Sequence, residues 1–426
     1  MGFGEELVQF INACPTPFQF AQVAAKILTE AGYKELHENE DWNDGDGIPK
    51  KGFVIREKRC LIAFNIGGYD TGIIVGTHCD SPVLRIDPKS EKVKGVFRTA
   101  NCSTYGGGIW TTWLDRPLRL AGCIIKNDNS IVPFDSEEPI AIIPSLAVHL
   151  GKTTLEENNI NCCSPIYGFK DSTSLKQYIA KKLNIEEHEI ANFELSFVDA
   201  NPPKIIGANK QFFASERIDN LSSTFAAIKA FLNSEPKNTL NILTVFDYEE
   251  VGSNTSTGAK GNFLSSVIKR LIPEPAEGEN ISVKQKYFAF IAKSLVVSSD
   301  NAHAVHPNYS SKHDPMHAPP MGSGVVIKKS PGVQYATDLV SSYPLKKAAE
   351  KSAVKLMYLI NRNDIPSGST IGPHVSTQLG IPTVDIGQPQ LSMHSIREIV
   401  TVRDVEDNMK LLVELYNNYE EYRYKC

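Results

Sequence analysis

The run Ile242-Leu243-Thr244-Val245-Phe246 ends abruptly in Asp247-Tyr248-Glu249-Glu250, three carboxylates within four residues. An apolar stretch of this length reads as a β-strand, and charge at its end is costly unless something uses it. Successive strand side chains point to opposite faces, so Glu249 and Glu250 serve one site only if the backbone turns at once, as Gly252-Ser253-Asn254 permits. Adjacent carboxylates raise one another's pKa unless a cation lies between them. A metal ion relieves that repulsion, with one glutamate as ligand and its neighbour free to take a proton from water. The other reading is a solvated acidic loop after a strand. Whether the rest of the chain supplies ligands separates the two.

The same layout recurs along the chain. Gly72-Ile73-Ile74-Val75-Gly76 reads as a fully buried strand, and it delivers His78 and Asp80 at its C-terminal end. Asp219 stands just before a helix whose buried stripe is Leu221, Phe225, Ile228 and Leu232. Ser294-Leu295-Val296-Val297 leads to Asp300, His303 and His306, and Thr383-Val384-Asp385-Ile386 leads to His394. Residues 4 to 33 read as helical around a break at Pro15-Thr16-Pro17. Leu345, Ala348, Ala349, Ala353, Leu356 and Ile360 mark a long helix, and Val405 to Tyr419 a closing amphipathic one. In an open α/β sheet such strand-end loops lie along one edge, where these folds bind ligands.

At 426 residues the chain is long for one core, which predicts two domains or one domain with a large insertion. The charged run Asp87 to Lys94 marks the crossing, and residues 95–210 read as a separately packed β-rich unit between catalytic segments 1–94 and 211–426. Within it, Tyr105-Gly106-Gly107-Gly108 lacks the spacing of a phosphate loop and reads as a tight backbone approach. Trp110 and Trp113 read as core or subunit interface. A net charge of -5 leaves no basic footprint for nucleic acid, so an acidic substrate must be held by a local cation. The N-terminus has no signal-peptide pattern, and no apolar run is long enough to span a bilayer. Eight scattered cysteines, with Cys162-Cys163 the only close pair and no CxxC, fit free thiols of a cytoplasmic protein.

Two imidazoles and several carboxylates without cysteine suit zinc, with manganese or cobalt as substitutes, in a catalytic rather than a structural site. A pair of ions about 3.5–4 Å apart needs a bridging carboxylate and further ligands for each. Asp219 can bridge, His78 and His394 can be the end ligands, and Glu250 and Asp300 complete the set. Glu249 then remains unliganded as general base, and Asp80 orients His78 through its second ring nitrogen. His303 and His306 are read as orienting the ligands or touching substrate rather than binding metal.

Taken together, Thr77-His78-Cys79-Asp80-Ser81-Pro82, Arg217-Ile218-Asp219-Asn220-Leu221, Asp247-Tyr248-Glu249-Glu250-Val251-Gly252-Ser253, Asp300-Asn301-Ala302-His303-Ala304-Val305-His306-Pro307-Asn308 and Met393-His394-Ser395-Ile396-Arg397-Glu398 resemble the signature segments of the M18 metallo-aminopeptidases, most of all the aspartyl aminopeptidase type. The resemblance runs from Ala13-Cys14-Pro15-Thr16-Pro17-Phe18 nearly to the C-terminus. It implies an α/β fold, with a twisted mixed β-sheet flanked by helices as a zinc-peptidase-like catalytic domain and an inserted β-rich dimerisation domain. It also implies two zinc ions per subunit on His78, Asp219, Glu250, Asp300 and His394, with Glu249 as base. The preferred substrates would be peptides with an acidic N-terminal residue, and dimers would assemble into a tetrahedral dodecamer. His149, in Ser145-Leu146-Ala147-Val148-His149-Leu150, matches the histidine that such an insert sends into a partner's active site, although Ser145 departs from the relatives' histidine. Lys328, in Val325-Val326-Ile327-Lys328, matches the lysine that pairs with the substrate's acidic side chain. The alternatives are a neutral-preferring aminopeptidase of the vacuolar type, whose relatives carry an N-terminal propeptide, a different dinuclear amidase, and a catalytically silent self-assembling scaffold.

Overall fold

The computed structural model describes residues 2–43, 45, 47–151, 164–275, 278 and 280–424. Its larger sheet has nine strands among the described residues. In spatial order they are Lys34–Leu36, Lys51–Arg56, Cys60–Ile66, Thr239–Phe246, Thr71–His78, Leu295–Ser299, Thr383–Gly387, Val325–Lys328 and Leu356–Leu359. The four central strands, from Thr239–Phe246 to Thr383–Gly387, are mutually parallel, so their C-terminal ends share one edge. The flanking strands Cys60–Ile66 and Val325–Lys328 run antiparallel to them, which makes the sheet mixed.

The consecutive apolar residues of the central strands divide between two cores, as the two-residue period of a strand requires. Ile73, Val75, Leu243, Val245 and Val297 face a core built with the helices Phe3–Ala13, Pro17–Glu30, Ile218–Leu232, Leu339–Ser352 and Val402–Tyr422. Ile74, Ile242 and Val296 face the other core, with Phe263–Leu271, Val283–Ala292 and Ile371–Leu379. Helices on both faces leave the strand ends as the place where polar side chains can gather.

A second, wholly antiparallel sheet is interposed in sequence between Thr71–His78 and Thr239–Phe246. Its strands are ordered Ile190–Asp199, Val83–Lys94, Phe97–Tyr105, Ile166–Phe169, Ala141–Ile142, Pro117–Lys126 and Ile131–Asp135, and Ile190–Asp199 also pairs with Pro117–Lys126. It has its own core, including Leu84, Leu118, Leu120, Trp113 and Phe197. Two expectations need correcting. The run Asp87 to Lys94 is the outer, largely exposed part of the hairpin strand Val83–Lys94, with Ser90 buried, so this sheet begins at Val83 rather than at residue 95, and its last strand ends at Asp199. Lys204–Ile206 pairs instead with Phe212–Ser215, which in turn pairs with Glu398–Thr401, in a separate three-stranded sheet.

The stripe running to Ile360 is also not one helix. Ala353 adopts φ 55°, ending Leu339–Ser352, and Leu356–Leu359 is an edge strand. Cys162 and Cys163 lie outside the described residues, while Cys14, Cys60, Cys79 and Cys123 are free thiols. Among the described residues no helix is long and apolar enough to cross a membrane.

Candidate metal centre

Each of the predicted polar clusters sends at least one side chain to the same edge. Strand Thr71–His78 ends on His78 itself, and strand Leu295–Ser299 leads directly to Asp300. After Thr239–Phe246 the backbone turns through Tyr248 at φ 61°, makes one 3₁₀ turn at Glu249–Val251 and leaves through Gly252 at φ 91°, a conformation that favours glycine. That turn brings neighbouring glutamates to one side. Asp219 sits in a non-helical first turn of Ile218–Leu232, and its peptide bond to Asn220 is cis.

Two groups of donor atoms result, His78/Asp219/Asp300 and Asp219/Glu250/His394, sharing Asp219. His78 Nε2 lies 3.4 Å from Asp219 Oδ1 and 4.0 Å from Asp300 Oδ2. His394 Nε2 lies 3.7 Å from Asp219 Oδ2 and 3.2 Å from Glu250 Oε2. Atoms bonded to one zinc ion at about 2.0–2.2 Å stand roughly 3–4 Å from each other, so the spacing suits an ion in each group. Two buried oxygens, Asp219 Oδ1 and Glu250 Oε1, have no hydrogen-bond partner, which is unfavourable unless a cation meets them. Nitrogen and oxygen donors without thiolate fit a catalytic zinc.

Both imidazoles are held from behind. His78 Nδ1 is 3.1 Å from the Asp80 carbonyl and 3.4 Å from Asp80 Oδ1. His394 Nδ1 is 3.2 Å from the Gly107 carbonyl. A carbonyl can only accept, so Nδ1 carries the hydrogen in each ring and Nε2 faces the carboxylates. Asp80 does more than orient His78: its carboxylate accepts the N–H groups of Glu249 and Glu250 at 3.1 and 3.0 Å.

Burial pushes the Glu250 carboxyl up to about 7 and that of Asp300 to about 6, and burial also raises Glu249 well above its ordinary value. Burial alone would lower the His394 pKa, but the hydrogen bond and charge of Glu250 outweigh it and raise the ring to about 10. The cluster therefore lacks positive charge, which a divalent cation supplies.

Glu249 belongs to neither donor group. Its Oε2 is 3.9 Å from His78 Nε2, and the residue lines an open cleft of about 370 Å³. His303 and Lys328 line the same cleft. Lys328 is buried, and its Nζ donates to the Asn301 carbonyl at 2.9 Å and lies 3.6 Å from Asp300 Oδ1. His306 is not brought to the cleft: its ring packs on Tyr309 at 4.9 Å and its Nδ1 accepts the Asn308 N–H. His149 stands exposed in a turn of the second sheet and does not line its own chain's cleft.

Sequence reasoning missed Glu398. This buried carboxylate accepts the N–H of Asp219 at 3.0 Å and the N–H of His394 at 2.9 Å, fixing two donors that are 175 residues apart. It lies in the quoted segment Met393 to Glu398, but no local pattern distinguishes it from an ordinary strand glutamate.

A helix-flanked mixed sheet, with paired nitrogen–oxygen donor groups and an unliganded glutamate at one edge, is the framework of a metal-dependent hydrolase. The chain belongs to the M18 family of metallo-aminopeptidases: residues 10–416 match the profile of the aminopeptidase I zinc metalloproteases. It is 37% identical to a probable M18 family aminopeptidase 2 of Clostridium novyi, over 97% of this chain and 98% of that one. It is 35% identical to an aspartyl aminopeptidase of Caenorhabditis elegans, over 97% and 94%. Among solved structures, a chain of the Ape4 and Nbr1 complex superposes with a TM-score of 0.89 at 33% identity, covering all of this chain and 88% of that one. The S. cerevesiae mApe1 dodecamer superposes at 0.85 with 27% identity, over 98% and 97%.

Proposed function

We propose that this enzyme is a dinuclear zinc aminopeptidase that removes N-terminal Asp or Glu from peptides. The observation that carries the reading is the pair of donor groups sharing Asp219, with Glu249 outside both and open to the cleft. His78, Asp219 and Asp300 would hold one zinc, and Asp219, Glu250 and His394 the other. When bound there, zinc supplies Lewis acidity for the scissile carbonyl and acidifies water. Glu249 accepts the proton of the attacking water and delivers it to the leaving amine as the C–N bond breaks. Asp80 keeps Glu249 in reach by holding its backbone N–H.

Lys328 supports the acidic preference, since it is the cleft's buried ammonium and meets a carboxylate at low effective dielectric. The likeness to the Caenorhabditis elegans aspartyl aminopeptidase points the same way. One observation favours a neutral-preferring enzyme: the Lys328 ammonium is already engaged by Asn301 and Asp300. For the assembly, the apolar side chains Val148, Leu150 and Phe169 are 75%, 75% and 64% exposed on the second sheet. They support pairing of two copies there, which would carry His149 toward a partner's cleft, and the mApe1 dodecamer supports further assembly.

Aspartyl and leucyl chromogenic substrates, assayed on one sample of measured zinc content and sedimentation mass, test all of this. The expected result is a higher kcat/KM for the aspartyl substrate that Lys328→Met selectively removes. Equal loss on both substrates would sink the pairing with Lys328. No turnover of either substrate by fully zinc-loaded protein would leave the silent scaffold, and a fully active monomer would rule out His149 in trans.

A further inference from the structure

The second sheet is not only an appendage for assembly. We infer that Tyr105, the last residue of its strand Phe97–Tyr105, is a positioning residue for the catalytic glutamates. Its hydroxyl donates to Asp80 Oδ2 at 2.6 Å, deep inside the protein. The same oxygen accepts the Glu250 N–H at 3.0 Å, while Oδ1 accepts the Glu249 N–H at 3.1 Å and lies 3.4 Å from His78 Nδ1. One carboxylate thus fixes the proposed base and two metal-holding residues, and Tyr105 fixes the rotation of that carboxylate. A hydrogen bond to a buried carboxylate is among the stronger kinds, so its loss is felt where geometry matters.

Tyr105 is itself held by a cluster that belongs to both sheets. The Arg85 guanidinium lies 3.8 Å over its ring and 5.1 Å from the Tyr248 ring. Glu194, on a third strand of the second sheet, pairs with Arg85 at 3.6 Å and with Arg59 at 2.8 Å. Arg59, in the turn joining strands Lys51–Arg56 and Cys60–Ile66 of the larger sheet, bonds the Tyr248 hydroxyl and lies 3.3 Å from buried Asp247. Tyr248 also packs on the second sheet's own core, although it immediately precedes Glu249. Just beyond Tyr105, Gly106 at φ 75° favours glycine, and a Cβ there would press on Glu250 Cβ at 3.3 Å. The catalytic turn is therefore clasped by the second sheet, and its position depends on how that sheet is seated.

Tyr105→Phe keeps the ring and its stacking but removes the donor. It is expected to lower kcat per zinc-bound molecule by roughly 10- to 100-fold, the range for outer partners of metal ligands, with KM within about twofold of the parent. Weaker zinc binding, read by competition with a chromophoric chelator, should accompany it. Arg85→Gln loosens the ring without removing the hydroxyl, so its loss should be smaller. The double variant should lose less than the product of the two single losses, because both act in part through the Tyr105–Asp80 contact. A kcat within twofold of the parent, or fully additive losses, would overturn the inference. If the phenylalanine variant does not fold, Arg85→Gln decides alone: a measurable fall in kcat supports the inference, and a kcat and zinc affinity both equal to the parent's would overturn it. The inference rests on Glu249 as base; an error in the substrate reading shows in the parent's own assays, whereas this comparison sets variant against parent on one substrate.

Discussion

Replacing Glu249 with glutamine lowers kcat by roughly 10²- to 10⁴-fold, the share that a positioned proton-transfer group contributes, and leaves both zinc content and fold in place. The amide has nearly the same shape and keeps the backbone N–H that Asp80 accepts, so the turn survives. It has no basic oxygen to take a proton. Glu250→Gln should behave differently, because Glu250 faces His394 at 3.2 Å within a donor group. There the first loss is zinc, and activity follows it. Measuring kcat and bound zinc on both variants separates neighbouring residues of one type into two roles. Near-normal turnover by zinc-loaded Glu249→Gln would remove the proposed base.

Stripping zinc with a chelator has the next largest effect, taking activity to background until zinc is restored, and it also lowers the unfolding temperature. An ion bound only by the folded state at a thousandfold excess over Kd contributes about 4 kcal/mol. The contribution should grow with pH. Burial raises Glu250 to about 7, Asp300 to about 6, Asp247 to about 7 and Glu398 to about 8, all above the ordinary carboxyl value near 4. A group whose folded-state pKa is raised contributes stability that is present below its unfolded pKa and lost as pH rises through the folded one. His394, raised to about 10, has the same sign over a higher window. Asp80 and Asp219 are shifted down, through His78 acting against burial, so their contributions are lost only in acid below this range. The metal-free protein is therefore expected to lose stability between pH 5 and 8 relative to the zinc-loaded protein, as read by thermal unfolding of both forms. A gap that narrows as pH rises would contradict this account of the charge cluster.

His78, Glu250, Asp300 and His394 were legible because each follows an apolar run that a sheet buries on both faces, and Asp219 because it opens a helix with a buried stripe. His78, Asp219, Glu250, Asp300 and His394 meet as the strand order places them. Contacts made by the backbone were not legible. The Gly107 carbonyl behind His394, and Glu398 beneath the N–H groups of Asp219 and His394, depend on segments that approach only in the fold. The start of the second sheet was misplaced for a related reason. Asp87 to Lys94 is charged because it is the exposed end of a hairpin, and exposure in a strand has the composition of a linker. At Leu356 the spacing fitted a helix, but Ala353 in the left-handed region broke it, and the four residues pair as an edge strand. His306 was read by proximity in sequence to Asp300, and the turn at Asn308 carries it onto Tyr309 instead.

The central claim is that Asp219 is shared by two zinc ions while Glu249 ligates neither. A zinc anomalous difference map from crystals of the zinc-loaded enzyme reads this directly. The expected result is two peaks about 3.5–4 Å apart, one flanked by His78 and Asp300, the other by Glu250 and His394, with Asp219 between them. A single peak, or a Glu249 oxygen at bonding distance from either one, would contradict it.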